Sequence, residues 1–378
     1  MSAIGGIFSP DIRLPLGEAL ISMSRAMMLR GKEKRGAYID SSLVMMHNGS
    51  DASQDLPLVK ELGGRPCALA IDGYVYDLEN TESDSAKCAM HSYLDFKNEL
   101  VCHIDGSYAL AVCDEARGEL ILARDKKGSR PLFYSTENGS IAFASEIKGL
   151  IRTASDSARI DTARLRAHIS SPCGAYSGAD IYMDVYSLPA GHCGVYSRLG
   201  MNVYPFKSEN DIGDLFGRSI AERPDFYCPD KAEMREMLTE LLFAFDYPQF
   251  DHLMPCVLKL LKKAASRHIS DIAVEDPTLC MNIGYATERA DRLGAISGVN
   301  MSPVSPSSFA IKDKSLKKME SVLAELLQES DTDSLCRLLC SDWQELLSKE
   351  KNIVRRIRML GMMYQTIVWE KNYPIIFM

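Results

Sequence analysis

The feature that most limits what this chain can fold into is a change of hydrophobic period near residue 205. Before it, runs rich in β-branched and aromatic residues are broken by polar, Gly-containing turns: CALAIDGYVYD, GSYALAVCDEARGELILARD and LFYSTENGSIAFAS. The breaks DEARGE and STENGS have hairpin length, so these runs read as antiparallel strands. Helical stretches flank them, LGEALISMSRAMMLRG, SDSAKCAMHSYLDF and DTARLRAHIS, the last opened by Asp161 as a cap. Strands in hairpins under a few covering helices predict a layered α+β domain over residues 1–205.

After residue 205 the apolar residues recur at helical spacing through KAEMREMLTELLFAF, PCVLKLLKKAASRH, KKMESVLAELLQES, DSLCRLLCSDWQELLSK and IVRRIRMLGMMYQTIVWEK. Residues 206–378 therefore read as a second, mainly helical domain. Within it, DIAV is a strand of a small parallel sheet, while NMSPVSPSSFAIKD reads as a loop from its prolines and serines. The Met and aromatic face of the last helix reads as core. Two domains fit a chain of 378 residues, each long enough to bury a core without disulfides or metals.

Charge and composition narrow the function. A net charge of −8, with basic residues dispersed among acids, predicts no nucleic-acid surface. No run of about twenty apolar residues occurs, so no membrane span is expected. MSAIGGIFSPDIR lacks the basic flank and long apolar core of a secretory signal. Eleven cysteines without a CxxC pair point to free thiols in a reducing cytoplasm. Cys336 and Cys340 stand at i, i+4 and could chelate, but with no His or second Cys pair beside them packing is the better reading.

Six stretches, in order from Ser2 to His192, resemble the glutamine-hydrolysing asparagine synthetases, a family of class II glutamine amidotransferases. They are MSAIGGIF, MMLRGKEKRG, ALAIDGYVYD, SDSAKCAMHSYLDF, the long IDGSYALAVCDEARGELILARDKKGSRPLFYSTENGSIAFASEIKGL, and SLPAGH. The resemblance implies a four-layer αββα N-terminal-nucleophile domain. In such a domain the mature N-terminal residue attacks the glutamine amide, its own amine takes the proton, and the ammonia passes to a second domain where ATP activates a carboxylate.

Compared position by position, this chain departs from the family. Ser2, exposed as an N-terminus only if Met1 is removed, stands where the family has Cys; a hydroxyl holds almost no anion at neutral pH and depends wholly on its base and oxyanion hole. Where the family's oxyanion hole has Asn-Gly, this chain has Asp72 and Gly73, and the carboxylate would face the developing anion. The region SSLVMMHNGSDASQDLPL lacks the family's carboxylate-clamping Arg, and His47 is its nearest substitute. Asp84 matches the Asp that holds the glutamine α-amine, although a helix-cap role is the plainer reading. Arg30 and Arg35 match or neighbour the family's Arg-Gly turn and read as loop-ordering.

The synthetase part departs further. LLFAFDYPQFDHLMPCVLKLLKKAASRHISDIAVEDPTLCMNIGYATER looks like the family's Asp-Glu-Pro-x-Phe-Asp segment, helix, strand and acidic Gly-rich loop, but Pro277, Leu279, Met281 and Ile283 stand in that loop and would hinder close approach of backbone to a nucleotide. Glu275 and Asp276 alone are weak magnesium ligands. No SGGxDS, GxxxxGKS/T or GxGxxG occurs, and SGAD at 177 and SGVN at 297 lack a strand-to-helix setting. The stretch that would carry the pyrophosphate loop is missing between FKSEN and KAEMREML. No nucleotide, metal or cofactor site is expected.

The leading expectation is a degenerate synthetase relative acting as scaffold or regulatory partner, as a homodimer or with an active paralogue. One alternative is an amidotransferase or amidohydrolase using Ser2 on another amide. The other is a sensor holding an amino acid or amide in a relic pocket of Asp72, Gly73, Asp84 and His47.

Overall fold

The structure, a computed structural model, describes residues 2–10, 17–49, 56–77, 84–151, 158–170, 178–206, 227–269, 271–275, 283–304 and 313–378. Its strands are β1 Ala3–Phe8, β2 Lys34–Ile39, β3 Leu43–Gly49, β4 Leu58–Leu62, β5 Arg65–Asp77, β6 Ile104–Asp114, β7 Glu119–Arg124, β8 Phe133–Glu137, β9 Ser140–Ala144, β10 Ala158–Ile160, β11 Tyr186–Ser187, β12 His192–Ser197, β13 Gly200–Pro205, β14 Asp271–Glu275, β15 Asn300–Val304 and β16 Ile375–Phe377. Its α-helices are α1 Gly17–Ala26, α2 Ser85–Phe96, α3 Leu100–His103, α4 Ile147–Ile151, α5 Thr162–Ser170, α6 Lys231–Phe245, α7 Met254–Ser266, α8 Ile283–Ser297, α9 Asp313–Gln328, α10 Asp333–Leu339, α11 Trp343–Lys349 and α12 Ile353–Asn372. They form two compact units, residues 1–156 with 184–218, and residues 157–183 with 219–378.

The first unit is built on two antiparallel sheets, in the orders β11-β8-β9-β1-β3-β2 and β13-β12-β7-β6-β5-β4. Alternation along each strand divides its side chains between two faces. Ile4, Phe8, Leu43, Met45, Ile141 and Phe143 of the first sheet meet Ala68, Ala70, Ala109, Ala111, Leu120 and Leu122 of the second. The other face of the second sheet, with Cys67, Leu69, Ile71 and Val112, packs on Met90 and Tyr93 of α2 and Val101 of α3. On the far side of the first sheet α1 lies on β1 and β3, and α4 on β9. The layers are therefore α, β, β, α, as the resemblance implies.

Turn chemistry fixes the registers. The β8–β9 hairpin closes on Asn138 and Gly139, both at positive φ (48° and 75°), the conformation a two-residue hairpin loop favours. In ARDKKGSRP the charged residues shape a turn. Asp125 accepts from the backbone N–H groups of Tyr108, Lys127 and Ser129, and Arg124 donates to the carbonyls of Gly128, Arg130 and Leu188.

The second unit is mainly helical. Asp230 and Glu233 form a capping box that starts α6. α12 is buried from Ile357 through Ile367 and again at Trp369, and α6 and α9 pack against it. Its methionines are core, as their pattern suggests.

Three features differ from the sequence reading. Residues 158–170 and 178–183, read with the first domain, pack in the second unit: β10 pairs in parallel with β16, His168 Nε2 lies 3.0 Å from the Pro248 carbonyl, and Tyr182 stacks edge-on against Trp369. The apolar face of α5 is satisfied there, which no local pattern announces. The tract 300–313, read as a loop, begins with β15, which runs parallel to β14 from Asp271 opposite Asn300 to Glu275 opposite Val304. A two-stranded sheet has only edge strands, where Pro303 is tolerated. Finally, DSLCRLLCSDWQELLSK is two helices, because Cys340 adopts a left-handed conformation (φ 55°) and Asp342 caps α11.

Candidate functional site

The same alternation that builds the inter-sheet core places the site at its end. Counting by twos from residues facing that core, Ile4 leads to Ser2, Leu43 and Met45 to His47, Ala68 and Ala70 to Asp72, and Ile141 and Phe143 to Ser145. Antiparallel pairing sets Ile4 opposite His47, which makes Ser2 and His47 diagonal neighbours on that face.

Ser2 is 6% exposed and Asp72 fully buried. The Ser2 hydroxyl donates to Asp72 Oδ1 at 2.8 Å, and the Gly73 N–H donates to Ser2 Oγ at 3.3 Å. Gly73 has φ +106°, and a Cβ there would lie 2.0 Å from the Ser107 carbonyl, so only glycine presents its N–H in this way. Asp72 Oδ2 accepts from Arg30 Nη1 at 3.0 Å and from Ser145 Oγ at 3.4 Å. The same Nη1 donates to the Ser2 carbonyl at 3.1 Å, and Arg30 Nε to Glu146 Oε1 at 3.3 Å. Lys148 Nζ closes the chain of charges, 3.0 Å from Glu146 Oε2, with both side chains buried. His47 is buried beside Asp72; desolvation pushes its pKa below 6.5, against the pull of Asp72 and of a hydrogen bond to the Ile71 backbone.

The arrangement holds two guanidinium or ammonium groups against two carboxylates, with the serine hydroxyl tied into the pair nearest it. Such a network orients; apart from Ser2's own amine, which only removal of Met1 would free, it offers the hydroxyl one backbone donor and a carboxylate already engaged by Arg30.

Ser2, Asp72, Gly73 and His47 are thus brought together. Asp84 caps α2, accepting from the N–H groups of Ala86 and Lys87, with its side chain about half exposed (48%). Arg35 is exposed on β2. Arg30, read as loop-ordering, is instead at the centre. Ser145, Glu146 and Lys148 lie in a stretch that resembles the family, with no mark there of a site role; the available signal is a Glu and a Lys two apart in ASEIKGL. Cys340 ends α10 and sits 2.7 Å from Arg166 Nη1, so it is not on a common helix face with Cys336. Among the described residues no group of three or more His, Cys, Asp or Glu could hold a metal. Glu275 ends β14; Asp276, Pro277, Leu279, Met281 and residues 207–226 lie outside the described residues. Among the described residues, no helix is long and apolar enough to cross a membrane.

Two stacked antiparallel sheets between helical layers, with the second residue of the chain at the end of a central strand, define the N-terminal-nucleophile class of fold. A family model described as a glutamine amidotransferase domain matches residues 1–207. The chain belongs to that glutamine amidotransferase family through these residues. Asparagine synthetase (glutamine-hydrolyzing) 3 of Bacillus subtilis strain 168 is 29% identical over 195 residues, 46% of this chain and 32% of that one. Asparagine synthetase (glutamine-hydrolyzing) 2 of Oryza sativa subsp. japonica is 26% identical over 155 residues, 37% of this chain and 26% of that one. The matches thus span about a third or less of the relatives' length. Among solved structures, glutamine phosphoribosylpyrophosphate amidotransferase from B. subtilis, complexed with ADP and GMP, aligns over 84% of this chain and 70% of that one, at 15% identity and a TM-score of 0.39.

Proposed function

We propose that this asparagine-synthetase-like protein works without hydrolysing glutamine and without an ATP-dependent synthetase step. It acts in the cytoplasm as a scaffold or regulatory partner, as a homodimer or bound to a catalytically complete paralogue. One observation carries the first part: the Ser2 hydroxyl is bonded to Asp72, which the buried Arg30 holds in place. An oxyanion forming beside Oγ would meet that carboxylate where the reaction needs a donor, and losing one such donor costs about 2.7–4 kcal/mol. His47, kept neutral by burial, supplies no positive charge for a substrate carboxylate. The lack of a phosphate-loop motif supports the second part.

The test is ammonia release from glutamine by the purified chain, with its N-terminus verified by intact mass. No release above the Ser2→Ala variant is expected; release that disappears in that variant overturns the reading. A second reading, hydrolysis by Ser2 of an amide lacking an α-carboxylate, is favoured by the retained Gly73 N–H. A stable acyl adduct on Ser2 with an amide-mimicking electrophile would establish it.

A further inference from the structure

The edge of a sheet carries a row of backbone groups without a ladder partner, and folded chains usually guard it. The first unit has four such edges, β11 and β2 in one sheet and β13 and β4 in the other. Three are guarded. β11 has two residues, and β13 ends on Pro205, which has no N–H. In β4 the open residues are Val59 and Glu61, and the twofold axis that would pair them between two copies sets Lys60 on its own counterpart. β2, KRGAYI, has six residues, no proline and no charge at its centre.

The hairpin to β3 fixes which groups of β2 are open. The Asp40 N–H donates to the Leu43 carbonyl at 2.7 Å, and across β3 the Ser9 N–H donates to the Ser42 carbonyl at 2.9 Å. Hydrogen-bonded pairs alternate along an antiparallel ladder, so Lys34, Gly36 and Tyr38 turn their backbone groups to β3 and Arg35, Ala37 and Ile39 turn theirs outward. Among the described residues nothing bonds to the backbone of those three on the open side, and all three are exposed, Ile39 by 60%. The strand is complementary to itself. A twofold axis through Ala37 sets Ala37 on its own copy and Arg35 opposite Ile39, so that every open residue exchanges both of its N–H and C=O bonds. The same axis sets Lys34 opposite Asp40, a basic end on an acidic one, and lays the Arg35 stem over the exposed Ile39. A slip by two residues either way pairs an open residue outside the strand and separates Lys34 from Asp40.

We propose that β2 is the contact between two copies of this chain, which join antiparallel across Ala37 into one continuous sheet. This names the surface of the homodimer read above and rests on that part of the reading alone: ammonia release from glutamine would overturn the loss of activity and leave the interface standing.

The experiment is sedimentation velocity on the full chain at concentrations from micromolar to submillimolar. The wild type is expected to move from the 42.0 kDa of one chain toward twice that mass as concentration rises. Ala37→Pro removes the central outward N–H without touching a bond to β3, and is expected to stay at the mass of one chain with an unchanged far-UV circular dichroism spectrum. Lys34→Glu and Asp40→Lys each set like charges opposite one another at both ends, and each should raise the dissociation constant about tenfold. Mixed in equal amounts, the two charge variants restore opposite charges at both ends, and the wild-type constant is expected to return. The mass of one chain at every wild-type concentration overturns the proposal and leaves the edge to a different partner. A dimer that Ala37→Pro and the charge variants leave unchanged also overturns it, as do charge variants that mixing fails to rescue. If Ala37→Pro does not fold, the mixing experiment decides alone.

Discussion

In the first unit Arg30 is fully buried between Asp72 and Glu146; in the second, Arg289 and Arg292 are fully buried against Asp251 and Asp246. The residue types match, but what they hold differs. Arg292 also donates to the Ala244 carbonyl, Asp246 closes α6 in a left-handed conformation, and Asp251 accepts from the N–H groups that open α7. Those charges shape the turn FDYPQFD. In the first unit the charges converge on a hydroxyl at the position of a nucleophile and tie it down. Buried ion pairs contribute little net stability and are best read by the geometry they fix. One cluster fixes a backbone turn, the other a side chain that chemistry would need free.

The strongest way to break this comparison is to remove one partner from each cluster. Arg292→Leu leaves Asp246 buried and should cost about 3–5 kcal/mol, and Asp72→Ala should fall at the low end, about 3 kcal/mol, since Glu146 still faces Arg30. Both tryptophans, Trp343 and Trp369, are in the second unit. Denaturant unfolding followed by tryptophan fluorescence should therefore report the Arg292 variant directly, while far-UV circular dichroism reports both. Equal fluorescence shifts for the two variants would contradict separate clusters.

Acid should separate the units next. Burial, reinforced by Arg358, pushes the His168 pKa down to about 3. Its folded value lies below the unfolded 6.5, so the unfolded state binds more protons between them, and stability falls as pH drops through that window. The loss is up to about 1.4 kcal/mol per pH unit for this ring. His168→Gln should flatten the acid limb of the fluorescence-detected stability curve; an unchanged slope would place the acid sensitivity elsewhere.

Packing comes third. A Cβ on Gly361 of α12 would lie 2.3 Å from Phe250 Cδ1, so Gly361→Ala should destabilise the second unit by about 1–2 kcal/mol despite alanine's better helix propensity. The smallest effect expected is at Asp84. Asp84→Ala removes the cap of α2 and should lower stability by about 1 kcal/mol, with Asp84→Asn restoring most of it in thermal unfolding. A loss well above that would mean that Asp84 does more than cap.

Much of the first unit was legible because its signals are local. Alternating runs, the Asn138-Gly139 turn and the cap at Asp84 each act within a few residues, and they appear where the pattern set them, as does the Asp161 cap in the second unit. Of the site, Ser2, Asp72, Gly73 and His47 could be named from the resemblance, but not how they bond. Asp72 is read from the sequence as repelling an anion or lining a relic pocket; the structure shows it accepting a hydrogen bond from the serine hydroxyl while held by Arg30. Arg30 looked like a turn residue because nothing near it in sequence shows that its partners are 42 and 116 residues away.

The sequence by itself determined the period of each segment, hence strands before residue 205 and helices after, and it determined which residue types stand at the positions of the nucleophile and its oxyanion donor. Tertiary structure alone decided that residues 158–170 and 178–183 pack with the helical unit, that Asn300–Val304 is a strand, and that the Ser2 hydroxyl ends on a carboxylate. The reason is range. Periodicity and caps act between neighbours along the chain, whereas burial and ion pairing are settled between strands and helices that only the fold brings together.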